Sequence, residues 1–127
     1  MVGRLVLVLG DQLTETLSAL AQADKGRDTV VMAEVADEAA YVRHHPKKIA
    51  LIFAAMRKFA QALEADGWTV AYTQLDDTEN AGSIVGELLR RAAQTGASEV
   101  LATEPGEWRL IDKLKDAPLK VQILPDD

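Results

Sequence analysis

The residues of this chain able to do chemistry gather in four short stretches: GDQL at Gly10–Leu13, EVADEAAYVRHHPKK at Glu34–Lys48, LDDTENAGS at Leu75–Ser83 and TEPGEWR at Thr103–Arg109. Gly10 before Asp11 can admit a flat ring or a phosphate against the backbone, and the same pair also reads as a tight turn into a helix, with Asp11 or Thr14 as its N-cap. Arg43, His44, His45, Lys47 and Lys48 crowd the start of a helix that Pro46 is suited to open. Cations there oppose the helix macrodipole by ~0.3–1 kcal/mol each, so an anion or an acidic partner would offset the cost; singly, each reads as part of a solvated basic turn. His44 and His45 are adjacent, their side chains diverge, and no third ligand stands at a suitable spacing, so no metal site is expected. Glu38 and Tyr41 can project together over a sheet edge, or pair with a lysine and cover core. Asp76, Asp77 and Glu79 read better as a solvated loop that caps the next helix through Asn80 or Ser83 than as a cation site. Trp108, between Glu107 and Arg109 and after Pro105-Gly106, suits an interface anchor and equally a lid packed on the sheet.

Those stretches need elements to hold them. Arg4–Leu9 and Thr29–Val35 are nearly continuous β-branched and apolar runs, as expected of strands buried on both faces of a parallel sheet. Thr69–Gln74, Glu99–Thr103 and Lys120–Leu124 are further strand candidates bounded by Gly, Asp or Pro. Ile49, Ile52, Phe53, Met56, Phe59, Ala60 and Leu63 recur at steps of three and four, the core stripe of a long amphipathic helix ending at Gly67. Shorter helices fit Thr14–Ala23, Ser83–Thr95 with Gly96 as terminator, and Glu107–Lys115. Strands alternating with helices imply right-handed βαβ crossovers. The expected fold is α/β, a Rossmann-like three-layer sandwich over residues 1–127 with a five-stranded parallel sheet in the order 3-2-1-4-5. In such sheets ligands sit beyond the carboxyl ends of the strands. The four polar stretches all follow strands, whereas ADKGRD, EADGW and QTGAS on the opposite edge read as ordinary turns.

Composition narrows the function. At 127 residues and 48% hydrophobic, the chain can bury a core, and it shows neither a secretory signal pattern nor an apolar run of membrane-spanning length, so a cytoplasmic protein is expected. The absence of cysteine excludes disulfides, thiolate metal sites, iron–sulfur ligation and a cysteine nucleophile from this chain. A net charge of −6 argues against general nucleic-acid coating. With no GxGxxG and no GxxxxGK[ST], there is neither a dinucleotide fingerprint nor a Walker phosphate loop.

LVLGDQL, AEVADEAAYVRHHPKKIALIFAAMRKFA, LDDTENAGS and TEPGEWR, in this order and spacing, closely resemble the N-terminal α/β domain of the deoxyribodipyrimidine photolyase-related proteins. This is the bacterial (6-4) photolyase group, also called iron–sulfur bacterial cryptochromes and photolyases, and the resemblance runs from Arg4 to Asp127. It implies a parent protein in which an α/β domain precedes a helical domain holding FAD and a four-cysteine [4Fe–4S] cluster. There the light-reduced flavin donates an electron to a (6-4) photoproduct in DNA. By the same resemblance this chain is an isolated N-terminal domain or a truncated relative, without catalytic residues and inactive alone. The family's α/β domain carries an antenna pigment, typically 6,7-dimethyl-8-ribityllumazine, that passes excitation to the flavin. Carried onto this sequence, Gly10, Asp11 and Gln12 line the pigment pocket, Glu38 and Tyr41 supply polar contacts, and Ile52 supplies an apolar wall. Trp108, Arg109 and the Arg43–Lys48 turn are the expected contacts with the FAD-binding helical domain, and DNA is reached only through the full-length protein. Two alternatives are a free-standing nucleotide-binding module and a degenerate interaction scaffold.

Overall fold

A computed structural model describes residues 3–10, 12–35, 46–106 and 108–125, with backbone alone at 46–48 and 108. The elements in chain order are β1 (Leu5–Leu7), α1 (Ser18–Gln22), β2 (Thr29–Ala33), α2 (Pro46–Ala65), β3 (Thr69–Thr73), α3 (Ile84–Thr95), β4 (Glu99–Thr103), α4 (Trp108–Asp116) and β5 (Lys120–Leu124). The strands form a five-stranded sheet in the order β3-β2-β1-β4-β5, with every pairing parallel. The expected fold class and strand order are therefore those of the molecule. Among the described residues no helix is long and apolar enough to cross a membrane.

Side-chain alternation along the central strands builds two cores. Leu5, Leu7, Val31 and Ala33 point to the face covered by Ile84, Leu88 and Ala92 of α3 and Leu110 and Leu114 of α4. Val6, Val30, Met32 and Leu101 point to the other face, under Ala19 and Leu20 of α1 and Met56, Ala60 and Leu63 of α2. Two helices thus cover each face, which is why β1 and β2 can be apolar at consecutive positions without exposing any of them.

The long helix opens at Pro46, a residue without an N–H to leave unsatisfied. Its end is closed by Gly67 at φ 99°, where the Trp68 N–H reaches back to the Leu63 carbonyl. α3 begins where the Ser83 hydroxyl accepts the Gly86 N–H and ends at Gly96, φ 78°. Both glycine terminators lie where the sequence placed them.

Several local expectations differ; β2 and β3 end at Ala33 and Thr73, short of the expected Val35 and Gln74. α1 does not begin at Thr14, because the Thr14 and Thr16 hydroxyls pair at 3.0 Å in a turn and Leu17 is extended, so helical dihedrals start only at Ser18. β1 is shorter than Arg4–Leu9: the Arg4 N–H goes to the Asp28 carboxylate at 2.8 Å instead of the ladder, and the chain turns at Gly10. The opposite-edge turn ADKGRD is not wholly solvated, since Asp28 is buried and accepts from the Arg4 and Asp24 N–H groups and from the Arg4 guanidinium. It ties together the amino ends of β1 and β2. Burial raises its carboxyl, but those hydrogen bonds and the Arg4 charge outweigh it and hold the group below the usual carboxylate range.

Candidate functional site

Strand order reverses at β1, so the position favoured for ligands in such sheets lies beyond the carboxyl ends of β1 and its neighbours. Gly10 sits there, and its role is set by what faces it. A Cβ built on Gly10 would lie 2.9 Å from Ile52 Cγ2 and 3.2 Å from Met56 Sδ. Its backbone does not occupy the left-handed region. Glycine is needed there because the start of α2 presses onto the end of β1, and close approach, not chain reversal, is the reason. Gly10 and Ile52, far apart in sequence, are packed against each other.

Gln12 is buried and its amide is fully engaged with backbone. Oε1 accepts the Leu9 N–H at 3.3 Å, and Nε2 donates to the carbonyls of Thr103 at 3.1 Å and Glu104 at 3.4 Å. It stitches the end of β1 to the end of β4 across the switch point. Asp11, Glu38 and Tyr41, with Arg43, His44 and His45, lie outside the described residues. Trp108 opens α4 and Arg109 follows it on the surface.

Sequence reasoning passed over Glu34. It directly follows β2, is fully buried, and gathers donors from three directions. Arg57 of α2 donates Nε to Oε2 at 2.6 Å and Nη2 to Oε1 at 2.8 Å, the Tyr72 hydroxyl of β3 donates to Oε2 at 2.5 Å, and the Leu75 N–H to Oε1 at 3.0 Å. The Asn80 amide donates to the Glu34 carbonyl at 2.8 Å. Burial alone would raise this carboxyl; the Arg57, Tyr72 and Leu75 bonds outweigh it and keep Glu34 ionised. Burial, then the neighbouring carboxylate, raises the Tyr72 phenol, which stays protonated and donating. Nothing in the spacing of Glu34, Arg57 and Tyr72 announces this hub. The one available signal is a charged residue ending an otherwise apolar strand.

On the other face of the sheet Glu87 plays a similar part. It accepts from the Thr73 hydroxyl at 2.5 Å, the Ala81 N–H at 2.9 Å and the Arg90 guanidinium at 2.8 and 2.9 Å. Against the upward push of burial, those bonds lower its carboxyl to about 2. Arg91 adds bonds to the Thr73 hydroxyl and the Tyr72 carbonyl. Asp76, Asp77 and Glu79 lie in an exposed loop in which Asp77 accepts the Glu79 N–H and Asn80 Oδ1 the Gly82 N–H. Among the described residues, no cluster of three or more His, Asp or Glu comes together to hold a metal.

Residues 6–127 match the family described as deoxyribodipyrimidine photo-lyase-related protein. The chain belongs to that family. It is also 52% identical over 107 residues to a (6-4) photolyase of Agrobacterium fabrum (strain C58 / ATCC 33970), covering 84% of this chain and 21% of that protein. The photolyase-related chain thus spans about a fifth of that relative's length, and its carboxyl-edge residues, from Gly10 to the Thr103 turn, all fall inside the family match.

Proposed function

We propose that this chain is the antenna-binding domain, residues 1–127, of a cytoplasmic (6-4) photolyase-like DNA repair flavoprotein, holding 6,7-dimethyl-8-ribityllumazine at the carboxyl edge of the sheet. The observation that carries the reading is the juxtaposition of Gly10 with Ile52, two residues assigned to the pocket by resemblance alone. A ring of this kind needs an apolar wall and close backbone approach. Ile52 offers the first, and the side-chain-free Gly10 is what lets α2 bring it so close to the backbone at the end of β1. Gln12 fits as the residue that holds the β1 turn in place, since its amide is spent on backbone groups. Asp11, Glu38 and Tyr41 remain the proposed polar contacts for the dione edge and the hydroxyls.

The pigment, when bound, absorbs light and passes the excitation to a flavin. The task of this chain's residues is to bind the ring, orient it and exclude water, so no group here acts as nucleophile or proton donor, and FAD and the iron–sulfur cluster belong to the rest of the parent protein. Trp108, Arg109 and the Arg43–Lys48 turn are proposed as contacts with that FAD-binding helical part, through which alone DNA is reached. The length of the Agrobacterium relative outside the match supports such a part.

The test is a fluorescence titration of the lumazine into the chain beside Ile52→Trp, with ATP as a control ligand. Saturable lumazine binding that the tryptophan abolishes is expected, because an indole at position 52 fills the space against the wall. Failure of the folded wild-type chain to bind, equal binding by Ile52→Trp, or a response to ATP alone would overturn the reading.

A further inference from the structure

The buried Glu34 hub lies outside the residues assigned to the pocket, yet it reaches the same helix as Ile52. We infer that the Glu34–Arg57 pair is a positioning device: it locks the rotation of α2 and so seats Ile52 against Gly10, setting the wall of the proposed pocket. The inference rests on the antenna reading for its ligand, while its mechanical part stands on geometry alone.

Arg57 makes two parallel bonds to one carboxylate, the arrangement that fixes direction as well as distance. Its side chain is 48% exposed whereas Glu34 is 0% exposed, so the arginine reaches inward from the helix surface to an anchored partner. Glu34 cannot follow the helix if the helix turns, because the Tyr72 hydroxyl and the Leu75 N–H hold the same two oxygens from β3 and the turn after it. Next to Arg57, Met56 is fully buried and its sulfur faces Gly10 beside the Ile52 methyl. A side chain about 5 Å from the helix axis moves by about 2 Å when the helix turns by about 20°. That displacement exceeds the slack left between Ile52 and Gly10, where even an added methyl would clash. Apolar packing holds α2 through the buried Met56, Ala60 and Leu63, and less closely at its amino-terminal half, where Ile52 and Phe53 are only partly buried. The directional bonds to Glu34 add a fixed bearing there. With Glu34 buried and Arg57 half exposed, the pair is a modest source of net stability, and fixing one geometry is the role inferred for it.

The experiment reads two quantities in the wild-type chain, in Glu34→Gln, in Arg57→Lys and in the neutral double variant Glu34→Gln/Arg57→Gln. One is the nuclear Overhauser contact between the Ile52 γ2 methyl and the Gly10 α protons without ligand; the other is the lumazine Kd. Each is taken at a temperature where the variant is folded by circular dichroism. The expected result is a weakened Ile52–Gly10 contact in Glu34→Gln, a lumazine Kd raised on the order of tenfold, an intermediate effect in Arg57→Lys, and a double variant no worse than the single glutamine. An unchanged contact in every folded variant overturns the inference, as does an unchanged Kd where the wild type binds. If the wild type binds no lumazine, the antenna reading fails, while the Overhauser contact still decides whether the pair seats α2. If Glu34→Gln does not fold, Arg57→Lys and the double variant carry the same comparison.

Discussion

At the scale of single residues, the carboxyl edge is built from side chains whose partners are distant in sequence. Gly10 illustrates the consequence. The clash of a Cβ with Ile52 and Met56 means that Gly10→Ala overpacks this corner, at a cost of about 1–3 kcal/mol in urea unfolding. In the Gly10→Ala background, Ile52→Ala removes the offending methyl, so the second change costs less there than in the wild-type chain; strict additivity would contradict the contact. The sequence alone left this glycine open between a ligand approach and a tight turn, because a glycine carries no mark of what presses on it. Gln12 is a parallel case: the family resemblance assigned it to the pocket, and its amide is engaged by the Leu9, Thr103 and Glu104 backbone.

At the scale of elements, the helices differ in where their termini are satisfied. α3 carries its own instructions, with Ser83 in front and Gly96 behind, and both were legible because caps act within a few residues. α1 has no side-chain cap of its own. Its Ala19 N–H is taken by the Thr103 hydroxyl of β4 at 3.0 Å, which also meets the Ser18 hydroxyl at 3.1 Å. Thr103→Val keeps the shape and removes the acceptor, so it should cost about 1–2 kcal/mol. Amide exchange should rise at Ala19 and its neighbours while the β4 amides keep their protection; an unaltered Ala19 rate would show that the cap is not supplied from β4. The later start of α1, at Ser18 in place of the expected Thr14, follows from the Thr14–Thr16 turn together with this cap, and a cap that arrives from another strand has no signature beside the helix it serves.

At the scale of the whole molecule, three buried carboxylates among the described residues tie elements together from different sides: Asp28 at the amino edge, Glu34 at the carboxyl edge over α2, and Glu87 over α3. All three titrate below their ordinary values in the folded chain. Where the folded value lies below the unfolded one, the unfolded chain binds more protons in between, and stability falls as pH drops through that window. For Glu87 the window runs from the ordinary 4.5 down to about 2, and the stabilisation lost across it is on the order of 3 kcal/mol. The urea midpoint should therefore hold steady above about pH 5 and decline below it. In Glu87→Gln that decline should be shallower, and an equally steep one would remove Glu87 from the acid response.

What the sequence determined by itself is everything that repeats locally. The apolar runs of β1 and β2, the step of three and four from Ile49 to Leu63, and the glycines at 67 and 96 specify strands alternating with helices, and so the α/β sandwich that the sheet realises. Four matching stretches in order were enough for the family as well. The tertiary structure decided which residues meet. That Gly10 yields space to Ile52, that Gln12 bridges β1 to β4, and that Glu34 takes its fork from Arg57 and its hydroxyl from Tyr72 follow from parallel pairing, in which every crossover carries the chain a full helix away before it returns. Periodicity fixes the face a side chain occupies. Only the packed sheet and helices set what stands opposite, because directional bonds to a buried carboxylate depend on distances that no spacing along the chain encodes.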